Sequence, residues 1–360
     1  MTALKPGSVI GILGGGQLAR MLAMAAARLG YRIVVLEPDP NCPAAQVANK
    51  HICKKYDDPE GLAELADGCD VVTYEFENVP AAPAQYLSER KPLFPPALAL
   101  EVSQDRLTEK TFLNSHGIET APFAAVESVD ELKAALAEFG NQGVLKTRRL
   151  GYDGKGQRVL RNLSEAEIET AFAELSGSPL ILEGFVPFVR EISVIAGRNQ
   201  DGAVVSFDPA ENVHRDGILF SSTVPANISD ETRAAAGAIA GRILEGLGYV
   251  GVIGVEFFVL ADGKLLVNEI APRVHNSGHW TEAACALSQF ELHIRAIAGL
   301  PLGDTRRHSD CVMENLLGEA QNQAPELLQE PDLVLHLYGK AEPRAGRKMG
   351  HFTRLVRRAS

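Results

Sequence analysis

The sequence predicts an α/β and α+β protein of three units, and three observations carry that prediction. Strand and helix patterns alternate from Val9 to about Pro96. A small α+β pattern then surrounds a Gly-rich loop, and beyond it two long β-prone runs flank Asp262-Gly263. The units are residues 1–105, 106–187 and 188–360.

Val9-Leu13 reads as a buried strand, Gln17-Leu29 as a helix, Arg32-Glu37 as a second strand and Asp70-Tyr74 as another. Such alternation gives a doubly wound parallel sheet with helices on its faces. After the prolines between Pro92 and Pro96, Asp105-His116 and Val129-Phe139 read as helices and Gly143-Thr147 as a strand. A Gly-rich loop, the strand Arg158-Leu160, the helix Glu165-Leu175 and the strand Leu180-Gly184 complete the small middle unit. From 188 onward, strands (Glu191-Ala196, Val204-Phe207, Val252-Leu260, Lys264-Ile270) mix with long helices at Thr232-Leu247 and Thr281-Ala298. A tail from Pro331 reads as short strands ending in a basic segment. No internal repeat is visible.

The formal net charge of −11 argues against a nucleic-acid backbone as partner. No apolar run is long enough for a membrane helix. The N-terminus leads directly into a strand without a signal-peptide cleavage pattern, which gives a cytoplasmic expectation. The five cysteines (Cys42, Cys53, Cys69, Cys285, Cys311) show neither CxxC nor metal-ligand spacing, as expected of reduced thiols.

Asp-Gly between β-prone runs is a strong hairpin signal. If those two residues form the turn, Ala261 faces Lys264 and, stepping back, Glu256 faces Glu269. Like charges directly opposite are destabilising on a sheet, so a cation is expected between them. Carboxylates that leave room for water and phosphate are the Mg²⁺ pattern. The alternative is a solvated edge hairpin, against which Phe258, Leu260, Leu265 and Val267 count by sharing the glutamates' face. Strict alternation points Asn268 to the other face, so it needs a local irregularity or a different role.

Two glycine loops bear on function. Gly14-Gly15-Gly16-Gln17-Leu18-Ala19 follows a strand, and Glu37 closes the next strand about twenty residues later, as in an NAD-binding fold. Many doubly wound domains use such glycines only for a tight turn, and no hydride-transfer constellation follows. The second loop, Arg148 to Gln157, lies between two strands and is not a Walker loop, because neither a helix nor Gly-Lys-Ser/Thr follows. Its amides and Lys146 can still close over phosphates; alone, it reads equally as a surface hairpin. A strand ending in Glu183-Gly184-Phe185-Val186 can stack on a purine, with Glu191 accepting from ribose, although by itself the segment is ordinary.

Together, the glycine loop after a lysine strand, the Glu-x-Phe-Val linker and the paired carboxylates ending in Asn268-Glu269 resemble the ATP-grasp family. GILGGGQLARML, YEFENV, RRLGYDGKGQ, ENVHRDGIL, NEIAPRVHNSGHWT and YGKAEPRAGRKMGH are similar to its N5-carboxyaminoimidazole ribonucleotide synthetases, from Gly11 to about His351. HNSGHW and the GRKMGH tail are the discriminating segments. The resemblance implies an ATP-grasp fold: a biotin-carboxylase-like N-terminal domain, a small lid and a larger C-terminal ATP- and Mg²⁺-binding domain. It also implies a homodimer and a ligase that makes carboxyphosphate from ATP and bicarbonate and carboxylates 5-aminoimidazole ribonucleotide. Two alternatives stand beside it. One is an ATP-grasp ligase activating formate or another carboxylate, against which HNSGH argues; the other is an NAD-binding oxidoreductase.

The same resemblance implies the site. Arg106, Lys146, Gly151, Tyr152, Asp153, Gly154, Lys155, Gly156, Gln157, Glu183, Gly184, Phe185, Val186, Glu191, His214, Asn268 and Glu269 would hold ATP, with Mg²⁺ on Glu256 and Glu269. Ala271 sits where many ATP-grasp enzymes carry a third polar ligand, so the metal shell is lean. Arg273 would stabilise carboxyphosphate, and His275, Asn276 and Ser277 would begin a helix whose amide end receives the anion. Gln17, Glu75, Asn78, Tyr152, Asp153, Arg273, Lys340, Arg347 and Lys348 would contact the acceptor nucleotide. Arg357-Arg358 read as a solvated run, and Glu77 has no assigned role.

Overall fold

The computed structural model describes residues 2–151 and 155–356. Val9–Leu13, Arg32–Leu36, Lys50–Ile52 and Val71–Tyr74 form a four-stranded parallel sheet. Val9–Leu13 lies between Arg32–Leu36 and Val71–Tyr74. The helix Gln17–Arg28 buries Leu18, Met21 and Leu22 in a core shared with Ile10 and Ile12. Its apolar residues recur at helical spacing, so one face packs on the sheet. The three-residue strand Lys50–Ile52 carries too short a pattern to read from sequence.

The middle unit is a four-stranded antiparallel sheet in the order Phe123–Val126, Leu180–Gly184, Gln142–Thr147, Gln157–Arg161. The helices Val129–Glu138 and Glu165–Leu175 pack on it through Leu132, Leu136 and Ala171, against Leu145, Leu160 and Leu182. Each of these two helices starts with a capping box, Ser128 with Glu131 and Ser164 with Glu167.

The third unit is a nine-stranded sheet. From one edge it runs Leu265–Ala271, Gly251–Val259, Arg190–Arg198, Ala210–Arg215, Ile218–Val224, Asp310–Leu317, Lys348–Val356 and Leu333–Leu337, with Val204–Ser206 also paired to Arg190–Arg198. The helix Asp230–Gly246 covers one face, setting Ala236, Ala240, Ile243 and Leu244 against Ile192, Val194, Val255 and Phe257. The opposite face carries the polar residues of the site.

Two sequence expectations are corrected here. The helix read over Thr281-Ala298 is two helices, Thr281–Ala284 and Gln289–Ile297. Cys285 is extended, and the Ser288 side chain accepts from Glu291 N to start the second helix, so an N-cap interrupts an otherwise helical pattern. The tail does form strands, but they are not all short, since Lys348–Val356 is a nine-residue strand inside the large sheet. All five cysteines are free thiols, and no helix among the described residues is long and apolar enough to cross a membrane.

Candidate active site

The hairpin places Glu256 opposite Glu269 by a route other than a two-residue turn. Leu260 N donates to Lys264 O at 2.9 Å, so the loop is Ala261-Asp262-Gly263, with Gly263 at φ +84°. A third loop residue in the left-handed region is the usual three-residue hairpin. The register near the loop is thus one residue out from the two-residue expectation: Phe257 faces Val267 and Val259 faces Leu265. A bulge then inserts Asn268, and Glu256 faces Glu269 after all. The bulge also corrects the face expected for Leu265 and Val267, which lie with Phe257 and Val259 in the core beneath the sheet. The edge strand is covered, because Val267 N donates to Glu119 O. The solvated-edge alternative fails for Glu256, whose side chain is 15% exposed, while Glu269 keeps 40%.

The bulge answers the question of Asn268. Its side chain lies by the Glu256 carboxylate and works to lower the Glu256 pKa, and its carbonyl accepts from Lys110 Nζ at 3.1 Å. Burial and the Glu269 charge push Glu256 up to about 7. Arg106 Nη1 lies 3.2 Å from Glu269, and Arg106 Nη2 donates to Gly151 O. One guanidinium so ties the carboxylate pair to the base of the Gly-rich loop.

Lys146 Nζ lies 3.0 Å from Glu183 Oε2, and Lys110 Nζ 3.3 Å from the same oxygen. Burial works against ionisation of Glu183, yet the two lysines and Arg106 hold it down to about 2. Burial lowers the Lys146 pKa. Gly184 is packed against Pro122, Phe185 is partly exposed beneath the Arg161 guanidinium, and Val186 is buried. Lys110 escaped the sequence reading, although it lies one helical turn after Arg106 on Arg106–Ser115. That i,i+4 spacing was the available signal.

His214 is on the strand Ala210–Arg215, not in a loop, and its Nδ1 lies 3.1 Å from Glu191. Burial opposes protonation, but Glu191, Glu256 and Glu269 together raise its pKa. Within the Gly-rich loop, Thr147 N donates to Gly156 O, Gln157 pairs with Lys146, and Lys155 stands next to the residues that fall outside the description. Tyr152, Asp153 and Gly154 are those residues; Arg357 and Arg358 lie outside it as well. Asp105 anchors the loop base, bonding Arg148 through Nε (3.0 Å) and Nη2 (2.8 Å).

Beyond the strand Leu265–Ala271, Arg273 forms a fork with Glu77, donating through Nε and, at 2.9 Å, through Nη2. Burial opposes, but Arg273 holds Glu77 down to about 2. Glu77 is thus a site residue that sequence reasoning left out. His275 Nε2 lies 3.6 Å from Glu256, while its Nδ1 bonds Ser277 Oγ, which in turn accepts from Ser193. Burial, with the Arg273 charge, pushes His275 down to about 3. The helix expected at His275-Asn276-Ser277 is corrected to a single 3₁₀ turn, Asn276–Gly278, too short to carry a substantial dipole. Both Asn276 side-chain polar atoms are buried without a hydrogen-bond partner from the protein, which leaves them to water or a ligand.

The first glycine loop turns its amides to carboxylates. Gly16 N donates to Glu75 at 2.8 Å, and Gly15 N to Glu37 at 2.9 Å. Glu37 is also bonded by Tyr56 OH, which engages the acid that an NAD ribose would need. A Cβ at Gly14 would lie 2.7 Å from Glu75 Cγ, so only glycine fits there. Burial pushes Glu75 up to about 7. Gln17 and Asn78 are half-buried beside this loop and the Val71–Tyr74 strand. Lys340 donates to Lys348 O and feels the charges of Glu75, Arg347 and Lys348, so the tail meets the glycine-loop end of the site. Arg347 donates to Glu342 O.

Three family descriptions cover this chain. A ribonucleotide synthetase preATP-grasp domain matches residues 8–104, an ATP-grasp domain 111–290, and a phosphoribosylaminoimidazole carboxylase C-terminal domain 311–359. An N5-carboxyaminoimidazole ribonucleotide synthase of Brucella melitensis is 63% identical, with 98% of each chain covered, and one of Bacillus subtilis is 45% identical, covering 97% of this chain and 92% of that one. A crystal structure of an N5-carboxyaminoimidazole ribonucleotide synthetase as its ADP complex superposes with a TM-score of 0.95 at 45% identity, covering 99% of this chain and 94% of that one. An Aspergillus clavatus enzyme in complex with ADP and 5-aminoimidazole ribonucleotide gives 0.91 at 33%, with 98% and 94% covered. The chain belongs to the N5-carboxyaminoimidazole ribonucleotide synthase family of ATP-grasp enzymes.

Proposed function

We propose that the chain is an ATP-dependent carbon–nitrogen ligase that carboxylates 5-aminoimidazole ribonucleotide to its N5-carboxyamino form, a step of purine biosynthesis. The observation that carries the reading is the carboxylate pair, Glu256 against Glu269, standing beside Arg273 and His275. Family membership and the relatives' printed names support it.

The pair fits a hard divalent cation, because two opposed carboxylates with the Asn268 amide nearby form an oxygen-rich set. Mg²⁺ on Glu256 and Glu269 would neutralise charge on the ATP phosphates. Phosphoryl transfer is mostly positioning and charge neutralisation, and the chain supplies both. Arg106 and Lys146, with the amides of the 151–157 loop, hold phosphates; Glu183, which Lys110 also bonds, fixes Lys146. Glu183 to Val186, Glu191 and His214 receive the nucleoside.

Bicarbonate oxygen attacks the γ-phosphorus, giving ADP and carboxyphosphate. The acceptor's exocyclic amine then bonds to the carboxyl carbon, inorganic phosphate leaves and the amine loses a proton. Arg273, held by the Glu77 fork, faces the developing charge. His275, neutral because its pKa is so low, and Asn276 offer hydrogen bonds without adding charge. Gln17, Glu75, Asn78, Tyr152 and Asp153 contact the acceptor, with Lys340, Arg347 and Lys348 on its phosphate. We assign the acceptor to the N-terminal unit, residues 1–105, and the tail, the nucleotide lid to 106–187 and the metal to 188–360. A cytoplasmic homodimer completes the proposal, its oligomeric state tested by sedimentation.

The decisive experiment is ADP release in Mg²⁺-ATP and bicarbonate, with and without 5-aminoimidazole ribonucleotide. Release that depends on bicarbonate supports the reading. No ADP with all substrates saturating, or release that needs formate instead, would falsify it.

A further inference from the structure

A second set of ligating side chains lies away from the ATP carboxylates, where the tail meets the segment that follows the HNSGHW loop. His336 and His351 are register partners on the neighbouring strands Leu333–Leu337 and Lys348–Val356, so their side chains emerge on one face. Glu282, from the short helix Thr281–Ala284, reaches between them. Its Oε2 is 3.3 Å from His336 Nδ1 and 3.6 Å from His351 Nε2, and the three ligand atoms lie within 4.8 Å of one another.

We propose that Glu282, His336 and His351 form a binding site for a borderline transition-metal cation such as Zn²⁺. Two imidazoles and one carboxylate are a zinc donor set, and metal–ligand bonds of about 2.0–2.2 Å place neighbouring ligand atoms about 3.3 Å apart. The surroundings supply the outer support such a site needs. Tyr338 OH pairs with His351 Nδ1 at 2.9 Å, which leaves Nε2 to the metal. The His279 ring stacks on His351 at 4.6 Å and holds its plane. His351 is nearly closed off, at 4% side-chain exposure, whereas Glu282 retains 26%, so a fourth position opens toward solvent for water.

The ligands come from three backbone segments. A bound ion would pin the strand that begins at Lys348 to the helix that begins one residue after Trp280. The site would therefore cross-link the end of the tail to the end of the catalytic loop. It requires neither ATP nor the Glu256/Glu269 pair, so it can be tested apart from the carboxylation reading.

The test uses the full chain, stripped with a chelator and titrated with Co²⁺ in excess Mg²⁺, which occupies the hard-oxygen site. Expected are one equivalent of Co²⁺ with the visible bands of a four-coordinate ion, its displacement by Zn²⁺, and a Zn²⁺-dependent rise in Tm. Tyr338→Phe should weaken binding by about tenfold or more. His336→Ala should abolish it, and His336→Cys should restore it with a new thiolate-to-cobalt band in the near ultraviolet. The cysteine variant keeps the test open should the alanine variant fold poorly. No Co²⁺ binding by the folded wild-type chain, or binding unaltered in amount and spectrum by both His336 substitutions, overturns the proposal and leaves a hydrogen-bonded His-Glu cluster.

Discussion

Glu256 and Glu269 face each other because two one-residue offsets cancel. The hairpin loop holds three residues, which shifts the register by one, and the bulge at Asn268 shifts it back. The same bulge turns Leu265 and Val267 into the core and brings the Asn268 side chain to Glu256. A carboxylate pair that would strain a regular sheet is thus held in place by an irregularity.

Glu269→Gln removes one of the two carboxylates and the partner of Arg106. ADP release should fall by about a hundredfold or more, the scale of several kcal/mol of charge stabilisation. The circular dichroism spectrum should stay unchanged. Near-normal turnover in the folded variant removes the central role of the pair.

Glu256 makes ligand-free stability pH-dependent. Burial and Glu269 raise its folded pKa from 4.5 to about 7. The folded state then binds its proton more tightly than the unfolded chain does. This contribution is full below about pH 4.5 and is lost as pH rises through about 7. The wild type should accordingly lose Tm relative to Glu256→Gln across that window, on the order of a few degrees. Thermal scans of the pair that run parallel across the window contradict this assignment.

Glu77 acts on chemistry through Arg273. Glu77→Gln breaks the fork, and kcat should drop by about 10- to 100-fold, as expected when a positioned group is released. The KM for ATP should change little, because Glu77 touches none of the phosphate-holding residues. A rise in that KM with unaltered kcat points to a different role.

Lys340 sets an alkaline limit. Burial, reinforced by Arg347 and Lys348, lowers its pKa to about 8. Its charge is lost as pH rises through that value, so kcat/KM for the anionic ribonucleotide should decline above about pH 8. Lys340→Arg keeps its charge and should extend the plateau. Identical alkaline limbs in the two proteins would exclude Lys340 as a phosphate contact.

Much of the fold was legible because its signals are local. Val9–Leu13, Glu165–Leu175 and Leu180–Gly184 fall where period and caps place them. Lys50–Ile52 was too short to signal itself, and the break between Thr281–Ala284 and Gln289–Ile297 depends on a Ser288 cap inside an apolar helical pattern. In the site, Lys146, Glu183, Glu256 and Glu269 were readable as charges set in strands or beside a Gly-rich loop, whereas Arg106, at the start of a helix, came only with the family resemblance. Glu77 was not readable, since its partner Arg273 is remote in sequence, and Lys110 offered only its i,i+4 spacing from Arg106.

The amino-acid sequence by itself determined most of the strands and helices, where the glycine loops fall and which side chains bring charge to the site, because periodicity, turn chemistry and residue type act within a few positions along the chain. Only the tertiary structure decided what those charges meet. Glu37 and Glu75 engage the amides of the first glycine loop, Glu183 becomes the anchor of two lysines, and Glu282 joins His336 to His351. Contacts of that kind are set by burial and by the packing of distant segments, and neither is written in any local stretch of sequence.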